Sequence, residues 1–391
     1  MRVALATNFI SPYRVPLYTA LDGTPCWDFK VFTSCDMEFD RQWDSPSNFP
    51  FLCKKSLNIS YKRTVIHTHP TNFRDVRQIH LPVGLWFDLW SYRPDVVISS
   101  EMGARSLIAA IYVLIARKRL ILYFEGTKHT ERDINWKQRV LRNILCRFAH
   151  AFTCGGSESV SYVESLGVDP KKIFDVKLAL DMTPFLESFQ VSRRLSIRQK
   201  LGISGLCYLH VGGLIPRKGL DYLIKTWKIF CMKNNKEATL ILVGDGVQKE
   251  SLINLVNSLG LCNVKFIGFV NPEDLPAIYK ASDIFVFPTL EDCWGLVVNE
   301  AMASGLPVIC SKYAGCADDL IVDGQNGWII DPLNINDIVQ KLQYAWDARE
   351  KKEVMGKAGQ ELISRINTCR MTDGFIRSVE YVFLNNRKFQ T

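Results

Sequence analysis

The chain has 391 residues, of which 47% are hydrophobic and 23% charged, with a formal charge of +8. That composition supports two packed cores and leaves no stretch biased enough for disorder. The positive excess suits an anionic ligand or membrane face; without a Lys/Arg stripe interleaved with aromatics it argues against nucleic acid as a partner.

The twelve cysteines include no CxxC pair and no short cluster. A disulfide framework and a zinc site are therefore both unexpected, and reduced thiols fit a cytoplasmic protein. The first ten residues lack the apolar stretch and cleavage site of a signal peptide. The longest apolar run, 107–116, has ten residues and is too short to span a bilayer.

The predicted elements begin with a strand over 2–7, a helix over 15–21 and a strand near 29–33. Residues 35–80 read as long loops with one strand. Residues 81–90 hold two Trp and one Phe among aliphatics, and suit either a buried helix or a segment touching a bilayer. Regular alternation follows: strand 95–99, helix 104–116, strand 119–124, helix 136–148, strand 151–154, helix 158–166. The pattern pauses around 184–194.

The second half continues with a strand over 208–211 and a helix whose Leu220, Leu223, Ile224 and Trp227 share one face. Then come strand 239–243, helix 249–259, strand 264–269, helix 272–281, strand 284–287, helix 297–303, and strands 307–310 and 328–330. Strands separated by helices of this length imply parallel sheets covered on both faces. The fold class is therefore α/β: two doubly wound, Rossmann-like domains facing across a cleft. They are expected over 1–187 and 188–370, with 371–391 a C-terminal helix packing back toward the first. Ligands in such sheets bind in loops beyond the carboxyl ends of strands.

One such loop opens the segment PTLEDCWGLVVNEAMASGLPVI, residues 288–309. Glu291 and Asp292 lie in the loop, Gly295 opens the helix, and Glu300 falls in its second turn. The first N–H groups of a helix and the positive end of its dipole favour a phosphate, and a carboxylate one turn on can accept from a ribose diol. An acidic turn that merely caps its helix would look the same. A second segment, YLHVGGLIPRKGLDYLI at 208–224, places Gly212, Gly213, Arg217 and Lys218 in a post-strand turn; a surface-exposed basic turn is the simpler alternative.

The 288–309 segment resembles the signature of glycosyltransferase family 4, whose members adopt the GT-B architecture. That signature has two acids separated by seven residues around a Gly-aromatic-Gly-Leu core. Glu300 matches the second acid. Asp292 matches the first where Glu is usual, with Glu291 beside it as a substitute, and Cys293 replaces the first glycine. The resemblance implies that 208–224 holds the donor diphosphate, with Lys218 in place, Gly213 where an Arg is usual, and Arg217 able to compensate. It implies that Gly295, Leu296, Val297 and Glu300 bind the donor too, and that Gly244 and Phe269 lie in loops lining the base.

The resemblance makes the first domain the acceptor side. Ser11, Tyr13, Arg14 and Glu101 are candidates for acceptor or phosphate contact, and Glu125 and His129 for the reaction centre, with neither of the last two preferred. His67 and His69 read as structural. The implied enzyme is a retaining glycosyltransferase that moves sugar from a nucleotide-diphosphate sugar to a saccharide or lipid-linked saccharide, in polysaccharide or glycoconjugate synthesis. It would need no metal and would work in the cytoplasm, with peripheral contact at the membrane face. A nucleotide-sugar 2-epimerase of the same architecture and a non-catalytic sugar-nucleotide-binding protein remain alternatives.

Overall fold

The computed structural model describes residues 1–37, 48–67, 70–187, 190–234 and 237–384. The chain forms two compact units. The first comprises Met1–Val65, Val76–Leu180 and Ile366–Thr391; the second comprises Ile66–Asp75 and Asp181–Arg365.

In chain order the first stretch runs β1 (Arg2–Thr7), α1 (Val15–Asp22), β2 (Asp28–Thr33), β3 (Cys53–Lys55), β4 (Ile59–His67), β5 (Phe73–Leu81), α2 (Gly84–Tyr92), β6 (Val96–Ser100), α3 (Ala104–Ala116), β7 (Arg119–Phe124), α4 (Trp136–Phe148), β8 (Ala151–Cys154), α5 (Ser157–Ser165) and β9 (Ile173–Asp175). The second stretch runs α6 (Thr183–Leu186), α7 (Val191–Lys200), β10 (Leu206–Val211), α8 (Leu220–Asn234), β11 (Ala238–Val243), α9 (Lys249–Ser258), β12 (Val264–Gly268), α10 (Leu275–Ala281), β13 (Ile284–Phe287), α11 (Leu296–Ala303), β14 (Val308–Ser311), α12 (Ala317–Leu320), β15 (Gly327–Ile330), α13 (Ile335–Asp347) and α14 (Lys352–Ile363). The final helix, α15 (Thr368–Leu384), belongs to the first unit.

Among the described residues, the first unit holds a seven-stranded sheet in the order β3-β2-β1-β6-β7-β8-β9 and the second a six-stranded sheet in the order β12-β11-β10-β13-β14-β15. Neighbouring strands in both run parallel. Alternate strand residues face opposite ways, so each sheet needs cover on two sides. In the first unit Ala4, Ala6, Val97, Leu120 and Leu122 pack under α2, α3, α4 and α5. On the other side α15 lies over β7, β8 and β9 and beside α1, and Phe375 meets Tyr123 edge to face at 5.0 Å. In the second unit Leu220, Leu223, Ile224 and Trp227 of α8 pack with Tyr208, Leu240 and Ile338 in one core.

The expectation of one strand within 35–80 is corrected by the structure, whose described residues there hold three: β3, β4 and β5. β4 and β5 pair with each other as a separate two-stranded ribbon. β4 is exposed along nearly its whole length, so it lacks the apolar alternation by which strands are recognised. Residues 38–47 of that segment, and His69, lie outside the described residues, as does 385–391 at the end of the expected C-terminal helix. The segment 81–90 mostly enters α2, with Leu85 and Leu89 in the core and Phe87 and Trp90 exposed.

Candidate donor site

Each sheet reverses its strand order once, between β1 and β6 in the first unit and between β10 and β13 in the second. Loops leaving such neighbouring strands diverge and open a crevice at their carboxyl ends. In the second unit these are residues 212–219 after β10 and 288–295 after β13.

The two loops touch backbone to backbone. Leu290 N donates to Arg217 O at 2.7 Å, and Thr289 Oγ1 donates to the same oxygen at 3.0 Å. Gly219, which ends the tight turn Pro216–Lys218, has φ 65°, and a Cβ there would stand 2.4 Å from the Pro288 carbonyl oxygen. No larger residue fits such an approach. The approach delivers Arg217 and Lys218 to the acidic loop. Lys218 Nζ donates to Asp292 Oδ2 at 2.6 Å, and Arg217 Nη1 lies 3.4 Å from the same oxygen. The Lys218 ammonium also sits 4.8 Å from the Phe287 ring centroid. Burial opposes charge on Asp292, but Lys218 and Arg217 outweigh it and hold its carboxyl down at about 2.

Glu291 and Asp292 diverge although they are neighbours in sequence. Glu291 is buried, and its Oε2 lies 3.5 Å from His67 Nδ1. The His67 ring stacks on Phe73 with centroids 4.4 Å apart. Asp292 is therefore the acid whose carboxylate bonds the cations, while the Glu291 carboxylate meets His67.

Gly295 opens α11 at φ 97°. A Cβ there would meet the Phe287 ring at 2.6 Å. The next residues, Leu296 and Val297, form the first turn of α11, whose N–H groups have no intrahelical acceptor. One turn on, Glu300 Oε2 accepts from Tyr279 Oη at 2.7 Å. Burial pushes the Glu300 carboxyl up to about 7, and the Tyr279 hydrogen bond only partly offsets it. The loops after β10, β11 and β12 are tied in sequence: Gly212 N donates to Val243 O at 3.0 Å, Leu214 N to Asp245 O at 2.9 Å, and Gly244 N to Gly268 O at 2.8 Å. Gly213 lies within this tied set, and Phe269 follows it with its ring half-exposed.

Three residues of this region carried no donor-site signal in the sequence. His67 is distant along the chain. Tyr279 falls on a helix whose apolar face looked like ordinary core. His210 reads as a strand residue, yet it lies under the glycine turn, with a Cβ on Gly212 only 3.3 Å from its Nε2. Its Nδ1–H donates to Val286 O at 3.0 Å. Burial holds the ring neutral, its pKa down at about 3.

In the first unit, Arg14 is buried and its guanidinium pairs with Glu125. It also lies 5.4 Å and 5.2 Å from the ring centroids of Tyr13 and Tyr123. Ser11 is buried, its carbonyl accepting from Arg14 N at 2.9 Å. Glu101 follows β6 with φ 66° and accepts from Asn8 Nδ2 at 3.0 Å, so the ends of β1 and β6 are joined by a side-chain hydrogen bond. Ser11, Tyr13, Arg14 and Glu125 thus form one cluster. His129 lies in the turn after β7, where its carbonyl accepts from Arg132.

Two doubly wound parallel sheets, each with a switch point, define the class of open α/β folds that bind ligands at the carboxyl ends of their strands. The profile of the family described as Glycosyl transferases group 1 matches residues 194–362. That segment, in the second unit, resembles the group 1 glycosyl transferases. The chain is 34% identical over 155 residues to sulfoquinovosyl transferase SQD2 of Arabidopsis thaliana, covering 39% of this chain and 29% of that one. It is 28% identical over 228 residues to mannosylfructose-phosphate synthase of Agrobacterium fabrum, covering 55% and 49%. The matches thus span half or less of these relatives' length. Among solved structures, Anabaena HepE in complex with UDP and glucose superposes with a TM-score of 0.74 at 18% identity, covering 97% of this chain and 99% of that one. That likeness shows the fold, which is GT-B.

Proposed function

We propose that the chain transfers a glycosyl group, with retention of configuration, from a nucleotide-diphosphate sugar to a hydroxyl of a saccharide or lipid-linked saccharide. The observation that carries this reading is the convergence of Lys218, Arg217 and Asp292 beside the N-terminus of α11. A diphosphate entering there meets two cations already gathered at one point, together with the first N–H groups of a helix. Glu300 one turn on receives the ribose hydroxyls. The UDP complex of HepE supports a nucleoside diphosphate as the common part of the donor.

In the reaction the C1–O bond to the diphosphate breaks, and its electron pair stays on the departing phosphate oxygen. Lys218, Arg217 and the α11 dipole stabilise that growing charge. The acceptor oxygen bonds to C1 on the face the phosphate leaves, and its proton passes to the phosphate oxygen. Asp292, released from the cations, orients the sugar. The residues of the first unit serve the acceptor, with Glu125 and His129 the candidates for the reaction centre, and a lipid-linked acceptor would bring the enzyme to a membrane face in polysaccharide or glycoconjugate synthesis. No resident metal is required, since the cations and helix end meet the diphosphate charge.

Calorimetry with UDP and UDP-glucose tests the site. Lys218→Ala is expected to weaken binding by about 2 kcal/mol, the scale of a charge-assisted hydrogen bond, and to lower turnover. Unchanged affinity and turnover would remove the assignment.

A further inference from the structure

The stretch Ile66–Asp75 lies far ahead of the donor loops in sequence yet packs with the second unit. His67 closes β4 and Phe73 opens β5, and the stacking of their rings holds the imidazole against Glu291. Both side chains of that contact are buried, His67 at 1% and Glu291 at 5% exposure. The other end of the stretch bears on the same loops. Burial opposes charge on Arg217, but Asp292 and then Asp75 outweigh it and raise its pKa, with Glu291 adding to them.

Arg217 is also where the Glu291 carboxylate would go without its histidine. Arg217 Nη1 donates to the Glu291 carbonyl oxygen at 3.3 Å and lies 3.4 Å from Asp292 Oδ2. One guanidinium thus reaches the peptide of one acid and the side chain of the next. Thr289 Oγ1 donates to the same carbonyl oxygen at 3.0 Å and fixes the turn there. A buried carboxylate that loses a partner is costly. Released from His67, the Glu291 carboxylate would be drawn to the guanidinium already bonded to its own peptide. A diphosphate would then have to displace two carboxylates from the cations instead of one.

We propose that His67 is a positioning residue of the donor site: by holding the Glu291 carboxylate it reserves Lys218 and Arg217 for Asp292 and the incoming diphosphate. The inference rests on the sugar-nucleotide reading of that site and adds to it a residue delivered by 66–75. His67 acts through Glu291 and needs no contact with the donor.

The test is calorimetry of UDP binding to the full chain and its variants. His67→Phe keeps a ring to stack on Phe73 and removes the Nδ1 group that meets Glu291. It is expected to weaken UDP binding about tenfold, the scale of a hydrogen bond to a charged group. Adding Glu291→Gln to it removes the competing charge, and affinity should return to within about threefold of the parent. A contact that only fastens the loop would give no such recovery, since the second change leaves the fastening broken. Thermal unfolding checks that single and double variants are folded at the assay temperature; if His67→Phe is not, His67→Leu with the same second change takes its place. A His67 variant that binds UDP as the parent does, or a double variant as weak as the single, would overturn the proposal. A parent that binds neither UDP nor UDP-glucose would instead strike the proposed function, and this inference with it.

Discussion

At the scale of single residues, two carboxyls of one motif are pushed in opposite directions. Asp292 is held charged by Lys218 and Arg217, whereas Glu300 sits against the Tyr279 hydroxyl with its carboxyl raised from 4.5 to about 7. A carboxyl whose folded pKa is raised keeps a proton that the unfolded chain releases. Stability is then lost as pH rises from about 4.5 through 7. Glu300→Gln should flatten that decline and be the more stable protein above pH 7, read by urea unfolding across the range; a parallel pH dependence in parent and variant would place the loss elsewhere. For Asp292 the sign reverses: its pairing contributes above the ordinary carboxylate pKa and is lost only as pH falls toward about 2. The separation of Glu291 from Asp292 was not readable in the sequence, because it depends on His67, which arrives from residues 66–75. The alternation of acids and glycines in the motif was readable because each responds to a local demand: a tight approach, a helix start, a charge.

At the scale of elements, what could be read tracked burial. The strands at the centre of both sheets are continuous apolar runs, and the helices between them show one apolar face, so their order and type followed from pattern alone. β4 and β5, with both faces largely wet, had no pattern to read, and β9, three residues long, was too short to carry one. The start of α10 at Leu275 rather than at Pro272 reflects a turn, Asp274 N to Asn271 O at 3.0 Å, that precedes the helix proper. The junction between β13 and α11 is the element boundary on which the site depends. Gly295→Ala there combines left-handed backbone strain with a collision against Phe287. The expected cost is about 3 kcal/mol, seen as a lower denaturant midpoint with an unchanged slope, together with weaker UDP binding. A variant of parental stability would mean that α11 can start elsewhere.

At the scale of the whole molecule, the first unit is built from both ends of the sequence. Met371, Phe375, Val379 and Val382 of α15 are buried on its sheet. Losing four such side chains forfeits on the order of 8 kcal/mol, comparable with the entire stability of a domain. Truncation before Ile366 should therefore unfold the first unit and spare the second. Hydrogen exchange would show protection lost in β7, β8 and β9 and kept in β10, β11 and β13; uniform loss would mean that the two cores are not separable.

The return of α15 also orders events on the ribosome. The amino-terminal sheet is synthesised first, yet on one face β7, β8 and β9 lack the cover of α15 until that helix emerges, after the second unit has been made. At about 5–20 residues per second, those strands wait on the order of ten seconds or more for their cover. The later-made unit is thus the first able to finish folding, and during the interval the early half of the nascent chain exposes apolar surface open to aggregation.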